Sequence, residues 1–330
     1  MLPVTYSRPN DISGAIALGI REPNSKFLGG GTNLVDLMKM GVERPSHLVD
    51  VNRLPLATIE ETPAGVRIGA MARNSDVAAH PLIVKQLPLL SQALLAGASP
   101  QIRNMATAGG NLLQRTRCFY FYDPAYDQCN KRKPGSGCAA IHGYNRIHGI
   151  LGTSDSCIAT HPSDMAVALA ALDARIIVRG QQERAIPIAS FYRLPGETPH
   201  IENDLRPGEL ITAIDIPVPP ATSKAYYLKV RDRNSFAFAL VSVAAQVDVD
   251  GENRIRDARV ALGGVALKPW RVPAAEQAMR GQEASEKTFR QAAEAITAGA
   301  KPCRYNGFKV ELAHRCIVRA LATASGRAYA

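Results

Sequence analysis

The sequence predicts an α+β protein with two domains, a larger one over residues 1–218 and a smaller one over residues 224–330. Over the first part of the chain, short apolar segments alternate with turn residues, as in small βα units. The stretch IPVPPATSK at 216–224 concentrates prolines, which interrupt helices and strands, and so indicates a linker. Beyond it, residues 238–267 predict a β-hairpin with a short polar turn, and two helical segments close the chain.

The elements of the larger domain follow from local pattern. Leu34, Leu37 and Met38 recur at helical spacing after the glycine run GGGTN, so a strand, a turn and a helix are expected in that order. Ser163 is a helix N-cap residue before a run of small apolar residues and a β-branched strand. The predicted elements, in order, are strands at 26–28, 47–51 and 66–72, one or two helices at 75–97 broken at Pro81 and Pro88, a helix and strand at 163–178, and C-terminal helices at about 273–299 and 307–324.

Composition and charge exclude several classes of protein. With 46% hydrophobic and 21% charged residues, the chain is neither disordered nor collagen-like. The net charge of +10 suits an anionic ligand or an acidic partner subunit, and no tight Lys/Arg tract interleaved with aromatics indicates nucleic acid. No apolar run is long enough to span a bilayer. The N-terminus lacks a basic and apolar leader, so we expect cytoplasmic synthesis without a signal peptide, with any transfer to the periplasm occurring as a folded complex on a partner's signal.

Two glycine-rich loops are candidate anion-binding turns. GGGTN at 29–33 follows a predicted strand and precedes a predicted helix, where glycines let the backbone approach phosphate oxygens. The spacing is not G-x-G-x-x-G, so a Rossmann fingerprint is not indicated. TAGGN at 107–111 repeats the same chemistry, and two such loops could hold one pyrophosphate between them. The alternative for each is an ordinary glycine turn with a Thr or Asn cap.

Four of the six cysteines fall within forty residues, in a tract with few apolar residues of its own. Cys118, Cys129, Cys138 and Cys157 are separated by 10, 8 and 18 residues. Paired C-x₂₋₄-C knuckles, which are usual for structural zinc, are absent. Disulfides require an oxidising compartment. A [4Fe–4S] cluster requires four thiolates on a chain that can wrap it. Zinc, disulfides and iron therefore all remain candidates from the spacing.

Five segments, in this order along the chain, resemble the FAD-binding subunit of the molybdenum hydroxylases, the family of xanthine dehydrogenase, carbon monoxide dehydrogenase and aldehyde oxidoreductase. The segments are KFLGGGTNLVDLM (26–38), RNMATAGGNL (103–112), HPSDMAVALAALDA (161–174), GELITAIDIP (208–217) and KVRDRNSFAFALVSVA (229–244). The resemblance covers nearly the whole chain. It implies a two-subdomain FAD-binding fold of the PCMH type followed by a small α+β flavoprotein C-terminal domain.

The resemblance also implies the site. It places the pyrophosphate in the first glycine loop, a second wall in TAGGN, and the isoalloxazine ring near Ile211 and Lys229, where a cation could stabilise reduced flavin. Asp164 would bind the polar part of the cofactor. If the family resemblance is set aside, the sequence predicts that Lys229 is a solvated lysine and that Asp164 is an acidic residue favoured at a helix N-terminus. The expected FAD-binding residues are Lys26, Phe27, Leu28, Gly29, Gly30, Gly31, Thr32, Asn33, Leu34, Thr107, Gly110, Asn111, Asp164, Ile211 and Lys229.

The cysteine tract departs from the common family pattern. LLQRTRC, CNKRKPGSGC and CIATHPSDM instead resemble the branch typified by the bacterial periplasmic aldehyde oxidoreductase, whose flavin subunit carries an extra [4Fe–4S] cluster. The resemblance therefore implies an iron–sulfur insert at about 115–160 with the four cysteines as ligands. His142, His148 and His161 are nearby reserve ligands for which loop or packing roles are expected. Cys316 is expected to be a small hydrophobe on the last helix.

The functional expectation is an electron-transfer subunit with no catalytic residues of its own. A large molybdenum-cofactor subunit would oxidise the substrate, a small [2Fe–2S] subunit would relay electrons to FAD, and an external acceptor would receive them. The main alternative is a self-sufficient FAD-dependent oxidoreductase with a structural metal loop, which needs an acid or base beside the flavin. A basic nucleic-acid-binding protein with a zinc loop is a third reading, and it lacks a recognition motif.

Overall fold

The computed structural model describes residues 2–22 and 24–327, so the outermost residues of the two predicted domains lie outside the described part. The strands are β1 (Thr5–Ser7), β2 (Ser25–Leu28), β3 (His47–Asp50), β4 (Ile59–Thr62), β5 (Gly65–Gly69), β6 (Arg175–Arg179), β7 (Glu183–Pro187), β8 (Leu210–Ile216), β9 (Lys224–Val230), β10 (Val241–Val249), β11 (Ile255–Gly263) and β12 (Trp270–Arg271). The helices are α1 (Ile12–Arg21), α2 (Leu34–Lys39), α3 (Asn74–Ala79), α4 (Pro81–Gln86), α5 (Pro88–Ala96), α6 (Pro100–Met105), α7 (Ala108–Leu112), α8 (Phe119–Tyr122), α9 (Ala139–His142), α10 (Asp164–Ala171), α11 (Ile188–Phe191), α12 (Pro273–Met279), α13 (Glu286–Thr297) and α14 (Phe308–Ala324).

Two sheets form the part of the chain before the proline-rich linker. The first is parallel, with the order β1-β3-β2. The second has the order β4-β5-β8-β6-β7 and is antiparallel, and β8 pairs with β5 through Val66 and Ile216. The predicted strand–turn–helix unit around GGGTN is confirmed, because β2 ends at Leu28 and α2 begins at Leu34. The structure adds β1 and β4, short strands that the apolar pattern did not indicate.

The third sheet lies after the linker and contains the predicted hairpin. Its order is β12-β11-β10-β9, and β10 pairs with β11 over most of its length. The turn between these strands spans residues 250–254, as the polar sequence GENR indicates. Helices α13 and α14 pack together, and α14 covers β10. This arrangement buries a separate core in the C-terminal part of the chain, in which Phe289 and Ile317 are fully buried.

Prolines begin helices in this fold where the sequence pattern indicated only breaks. Pro81 and Pro88 occupy the first turns of α4 and α5, so residues 74–96 form three helices instead of one or two. The first helical turn leaves N–H groups without intrahelical acceptors, so the missing N–H of proline is not a loss there. The predicted segment 273–299 is likewise divided, with α12 ending at Met279 and α13 capped by Ser285.

The small-residue helix α10 lies at the centre of the main core. Every residue from Met165 to Ala171 is buried, and the helix packs against α5, β10 and β11. Its N-cap is Ser163, whose hydroxyl accepts from the Ala166 N–H at 2.9 Å, as the sequence predicts. Because α10 contacts both the helical layer and the C-terminal sheet, its N-terminus lies where the two parts of the molecule meet.

The cysteine tract is mostly irregular and contains only the short helices α8 and α9. The few apolar residues that the sequence gives this tract nevertheless pack together. Tyr120, Phe121 and Ile158 form a small buried core with the cysteines, because the tract folds back on itself and against Leu37 of α2. The tract continues directly into the C-terminal core, where the Ile150 N–H donates to the Val265 carbonyl at 2.8 Å.

Candidate functional site

A single large cavity runs between the two glycine loops and ends at the C-terminal sheet. Its volume is about 1460 Å³. Segments far apart in the sequence line it, including the loop before α2, the loop before α7, the N-terminus of α10 and the end of β9. Segment 232–240, which connects β9 to β10, lies along the same cavity.

The first glycine loop is built to lie directly on the chain around residue 106. A Cβ added to Gly30 would stand 1.9 Å from the Met105 carbonyl oxygen, and one added to Gly29 would stand 3.0 Å from the Thr107 hydroxyl. Gly31 has a φ of +74°, which glycine adopts without strain. Gly30 is therefore required by backbone-to-backbone packing. The sequence explained these glycines by a close approach to phosphate oxygens, and the structure adds a second reason, because the Met105 carbonyl already occupies the space that a side chain at Gly30 would need.

The second glycine loop is held by caps that also connect it to α10. The Thr107 hydroxyl accepts from the Gly110 N–H at 3.2 Å, and so caps the short helix α7. The Ser163 hydroxyl donates to the Asn111 Oδ1 at 2.6 Å. Since Ser163 is also the N-cap of α10, one side chain aligns the loop with the helix that carries Asp164. The TAGGN wall and Asp164 thus share one hydrogen-bonded framework.

Asp164 and Lys229 form a buried ion pair at the end of the cavity. The Lys229 Nζ donates to Asp164 Oδ2 at 2.7 Å and to the Ala96 carbonyl at 3.1 Å. The Lys229 side chain is only 4% exposed and the Asp164 side chain only 9%. The Tyr227 hydroxyl donates to the other Asp164 oxygen at 2.7 Å. Burial, followed by the nearby Asp164 carboxylate, raises the pKa of Tyr227 well above its ordinary value, so this hydroxyl remains a donor.

Polar and aromatic side chains of the cysteine tract close the side of the cavity next to α2. The Asn33 Nδ2 donates to the Tyr122 hydroxyl at 3.2 Å, and that hydroxyl donates to Asp36 Oδ2 at 3.0 Å. Arg117 also donates to Tyr122 and stacks on the Phe238 ring at 4.9 Å. Burial raises the pKa of Tyr122 to about 12, which keeps its phenol protonated. The tract therefore forms part of the cavity wall.

Most of the residues expected at the flavin site do line the cavity. They are Lys26, Phe27, Gly29, Gly30, Gly31, Thr32, Asn33, Leu34, Thr107, Gly110, Asn111, Asp164 and Lys229. Leu28 does not; it lies under the glycine turn, where its Cδ1 would be 3.4 Å from a Cβ at Gly31. Ile211 does not either. It is buried in the main core, 3% exposed, because β8 is an interior strand covered by helices.

Sequence reasoning missed Asn74 and Tyr122, which line the cavity, and Tyr227, which contacts the cavity residue Asp164. Asn74 is 3% exposed and lines the cavity, and its Oδ1 has no hydrogen-bond partner among the described residues. Tyr227 lies two residues before Lys229 on β9 and therefore on the same face of the strand. That spacing was available from the sequence, but its acceptor Asp164 is 63 residues away. Tyr122 could have been suspected only as part of the aromatic run beside Cys118.

The four cysteines of the tract come together in its small core. Cys129 and Cys138 lie opposite each other in a bridge between antiparallel segments. All four belong to one small cluster of packed side chains. Burial, followed by the nearby thiols of Cys157, Cys129 and Cys138, raises the pKa of Cys118 to about 12. Burial also raises the pKa of Cys157 to about 11. All four are free, and no disulfide forms among the described residues.

Histidines and a fifth cysteine surround this group. The His148 Nε2 lies 3.1 Å from Cys118 Sγ, and burial lowers the pKa of His148 to about 4, so its ring is neutral. His142 is exposed, and His161 packs against the Tyr192 ring at 4.4 Å. Cys303 packs against the same core, and Cys316 is buried at 4% exposure in the C-terminal core, as expected.

A chain of alternating charges connects the glycine loop to the cysteine tract. Lys26 lies 3.7 Å from Glu43, Arg115 binds Glu43 at 2.6 Å, and Arg115 binds Glu202 at 2.9 Å. Buried Lys131 binds the same Glu202 oxygen at 2.7 Å. Burial alone would raise the pKa of Glu202, but Lys131 and Arg115 lower it to about 2. The carboxylate is therefore ionised and held between two cations.

No three His, Cys, Asp or Glu side chains in the described part of the chain are arranged to hold a metal ion. This finding includes Cys118, Cys129, Cys138 and Cys157, so it favours neither a single zinc ion nor an iron–sulfur cluster.

Comparison with known proteins identifies the family. Residues 2–219 match the FAD binding domain in molybdopterin dehydrogenase, and residues 225–324 match the CO dehydrogenase flavoprotein C-terminal domain. The chain is 52% identical over 332 residues to the aldehyde oxidoreductase FAD-binding subunit PaoB of Escherichia coli, covering 99% of this chain and 100% of that protein. It is 27% identical to the glyceraldehyde dehydrogenase medium chain of Sulfolobus acidocaldarius, covering 90% of this chain and 88% of that one.

Solved structures show the same fold. The chain matches one from carbon monoxide dehydrogenase of Oligotropha carboxidovorans with a TM-score of 0.78 at 25% identity, covering 99% of this chain and 100% of that one. It matches a chain from the enzyme of Hydrogenophaga pseudoflava with a TM-score of 0.77 at 26% identity, covering both chains completely. The two-part fold, the cavity between the glycine loops and these matches agree. The chain belongs to the family of FAD-binding medium subunits of the molybdenum hydroxylases, and it is an oxidoreductase subunit.

Proposed function

We propose that this chain is the FAD-binding, electron-transfer subunit of a molybdenum-dependent aldehyde oxidoreductase. The observation that carries the proposal is the 52% identity, over the full length of both chains, to a subunit named for that activity. A large molybdenum-cofactor subunit would oxidise the aldehyde, and a small [2Fe–2S] subunit would deliver the electrons to this chain. An external acceptor would then receive them.

The cavity fits FAD. Its volume of about 1460 Å³ exceeds the roughly 300–1,000 Å³ of pockets for drug-sized ligands, so it has room for a dinucleotide. The glycine loops offer backbone close to the cavity on two sides, with Lys26 and Arg103 as nearby cations. The buried Asn74 Oδ1 is an acceptor that a donor of the ligand can satisfy. These features match a long, partly anionic ligand with several hydroxyl and N–H donors.

Different residues of the chain would bind different parts of FAD. Residues 26–34 and 107–111 would enclose its polar part from opposite sides. Lys229 has three N–H donors, of which two bind Asp164 and Ala96, so the third is available to the cavity. Bound FAD would supply the redox chemistry, since flavin accepts electrons singly and releases them in pairs. Asp164 and Tyr227 are occupied with each other and with Lys229, so neither is free to act as an acid or base.

The cysteine tract would hold a [4Fe–4S] cluster through Cys118, Cys129, Cys138 and Cys157. Support comes from the donor set: four neighbouring thiols, none in a disulfide, of which Cys118, Cys129 and Cys157 are buried in a small core and Cys138 is partly buried against it. Burial raises the pKa values of Cys118 and Cys157, so without a metal these thiols stay protonated. Cluster assembly would release their protons and convert them into thiolate ligands.

The test is purification of the native complex followed by metal and cofactor analysis. We expect FAD and about four iron and four sulfide on this chain, with molybdenum on a larger partner. The complex should oxidise aldehydes, and the isolated chain loaded with FAD should not. Aldehyde turnover by the isolated chain would instead establish the self-sufficient flavoenzyme. One zinc and no iron, after anaerobic purification, would replace the cluster with a structural metal.

The cellular location is a separate part of the proposal. The chain would be made in the cytoplasm and, where the complex acts in the periplasm, would cross the membrane already folded on a partner's signal. No helix among residues 2–22 and 24–327 has the length and apolarity to cross a lipid bilayer. Fractionation of cells that express all subunits, with and without the partner's leader, would test this route. Export of this chain without the partner would contradict it.

A further inference from the structure

The buried pair of Asp164 and Lys229 lies between the ends of two helices. Lys229 donates to the Ala96 carbonyl at the C-terminal end of α5, where a cation is favoured. Asp164 is the first residue of α10, where an anion is favoured. Strand β9 passes between these two helix ends and carries both Tyr227 and Lys229 on one face. The backbone thus fixes where each charge lies.

The orientation of the Asp164 carboxylate depends on one further contact. Its Oδ2 accepts from Lys229 and its Oδ1 from the Tyr227 hydroxyl, each at 2.7 Å. Tyr227 is itself fixed, because its side chain is buried and its N–H donates to Gln92 Oε1 at 2.8 Å. If the Tyr227 hydroxyl were absent, Oδ1 would be a buried acceptor without a donor. The carboxylate would then be free to turn further towards Lys229, which already donates to its other oxygen.

We propose that Tyr227 is a positioning residue of the flavin site: its hydroxyl holds the Asp164 carboxylate so that Lys229 keeps one N–H directed at the cavity. This inference rests on the proposed function, in which the flavin ring lies beside Lys229. The hydroxyl also draws part of the negative charge of Asp164 away from Lys229. Tyr227 therefore sets how much positive charge the ring experiences, and with it how easily the flavin is reduced.

The consequence is measurable as the reduction potential of the bound flavin. Lys229→Met removes the cation and should lower the potential most. Tyr227→Phe retains the buried ring and should lower it less, by up to about tenfold in the two-electron equilibrium, which corresponds to about 30 mV. The double variant should have the potential of Lys229→Met alone, because Tyr227 acts only through Lys229. A merely structural role would change flavin content or melting temperature without this pattern.

The experiment is a potentiometric titration of the flavin in the purified complex for these three variants. Tyr226→Phe is the matched control, since Tyr226 is the adjacent tyrosine of β9 on the opposite face, packed towards the C-terminal core. Its potential should equal that of the wild type. Flavin content and melting temperature, measured on each variant, identify any that fail to fold. If Tyr227→Phe fails, Tyr227→Met takes its place, because it also removes the hydroxyl and its flexible apolar side chain adapts to a buried position.

Each result separates the inference from the function it rests on. If Lys229→Met shifts the potential and Tyr227→Phe does not, Tyr227 is not a positioning residue, although the flavin site stands. If the Tyr227→Phe shift adds fully to that of Lys229→Met, Tyr227 acts independently and the inference is wrong. If Lys229→Met leaves the potential unchanged, the ring does not lie beside Lys229, and both the placement of the flavin and the inference fail.

Discussion

The flavin cavity and the cysteine tract are adjacent regions that are organised in opposite ways. The cavity is assembled from segments as distant in the sequence as Gly30 and Lys229. The tract supplies its four thiols from forty consecutive residues and has only two short helices. The comparison teaches that the shape of the cavity is a property of the whole fold, whereas the tract takes its thiols and most of its small core from one stretch of sequence.

The two regions are nevertheless joined. The charges of Lys26, Glu43, Arg115, Glu202 and Lys131 alternate from the glycine loop to the tract. The tract also contributes Tyr122 and Arg117 to the wall of the cavity. We therefore expect a substitution in one region to have its main effect there and a smaller effect on the other region, transmitted through these contacts.

Gly30→Val should abolish flavin binding while leaving the iron content of the proposed cluster unchanged. The new Cβ would stand 1.9 Å from the Met105 carbonyl, a backbone atom that cannot move aside cheaply. The clash should cost at least about 3 kcal/mol, the upper range for overpacking, which is about a hundredfold in affinity. Flavin fluorescence after protein denaturation and iron analysis provide the two readouts. Gly251→Ala is the control, because a Cβ there meets nothing within 4 Å.

Cys129→Ser should remove nearly all of the iron and only part of the flavin. Loss of one ligand prevents stable assembly of the cluster, and the tract then relies on its small core alone. Flavin content should fall less, because Gly30, Thr107 and Asp164 are anchored outside the tract. Iron analysis and limited proteolysis within 115–160 would measure the change. Cys316→Ser, on the last helix, should retain the iron; an unchanged iron content in Cys129→Ser would show that this cysteine is not a ligand.

Arg115→Met should loosen the connection between the two regions. Arg115 lies between Glu43 and Glu202, and its removal leaves two partly buried carboxylates with fewer partners. The expected loss is about 3 kcal/mol in the free energy of unfolding, the low end for breaking a buried ion pair. Chemical denaturation measures it. Arg315→Met removes an exposed pair with Glu311 and should cost less than about 1 kcal/mol. Equal losses in both variants would mean that the charge chain carries no special role.

Acidification should weaken the same connection gradually. Lys131 and Arg115 lower the pKa of Glu202 to about 2, against the effect of burial, from an ordinary value of 4.5. A lowered pKa contributes stability that is present above the ordinary pKa and is lost as the pH falls towards the folded value. The melting temperature of the wild type should therefore fall more steeply between those two pH values than that of Glu202→Gln. Parallel curves would contradict this assignment.

The sequence by itself determined the local elements and the chemistry of their ends. GGGTN after an apolar strand predicted the turn before α2, Ser163 predicted the cap of α10, and GENR predicted the hairpin turn, and the structure agrees in all three. These features depend on propensity, periodicity and hydrogen bonds within a few residues. Such interactions form in the same way wherever the segment lies, so the residues alone are sufficient to predict them.

Only the tertiary structure decided which of these residues meet. It placed Ile211 in the core instead of the cavity, brought Asn74 to the cavity wall, and set Tyr227 and Lys229 on the two oxygens of Asp164. It also gave the cysteine tract a core of its own. Contacts between distant segments depend on how sheets and helices pack and on the burial that packing produces. A local sequence pattern specifies neither the packing of distant elements nor the burial of a residue, because both are properties of the folded chain as a whole.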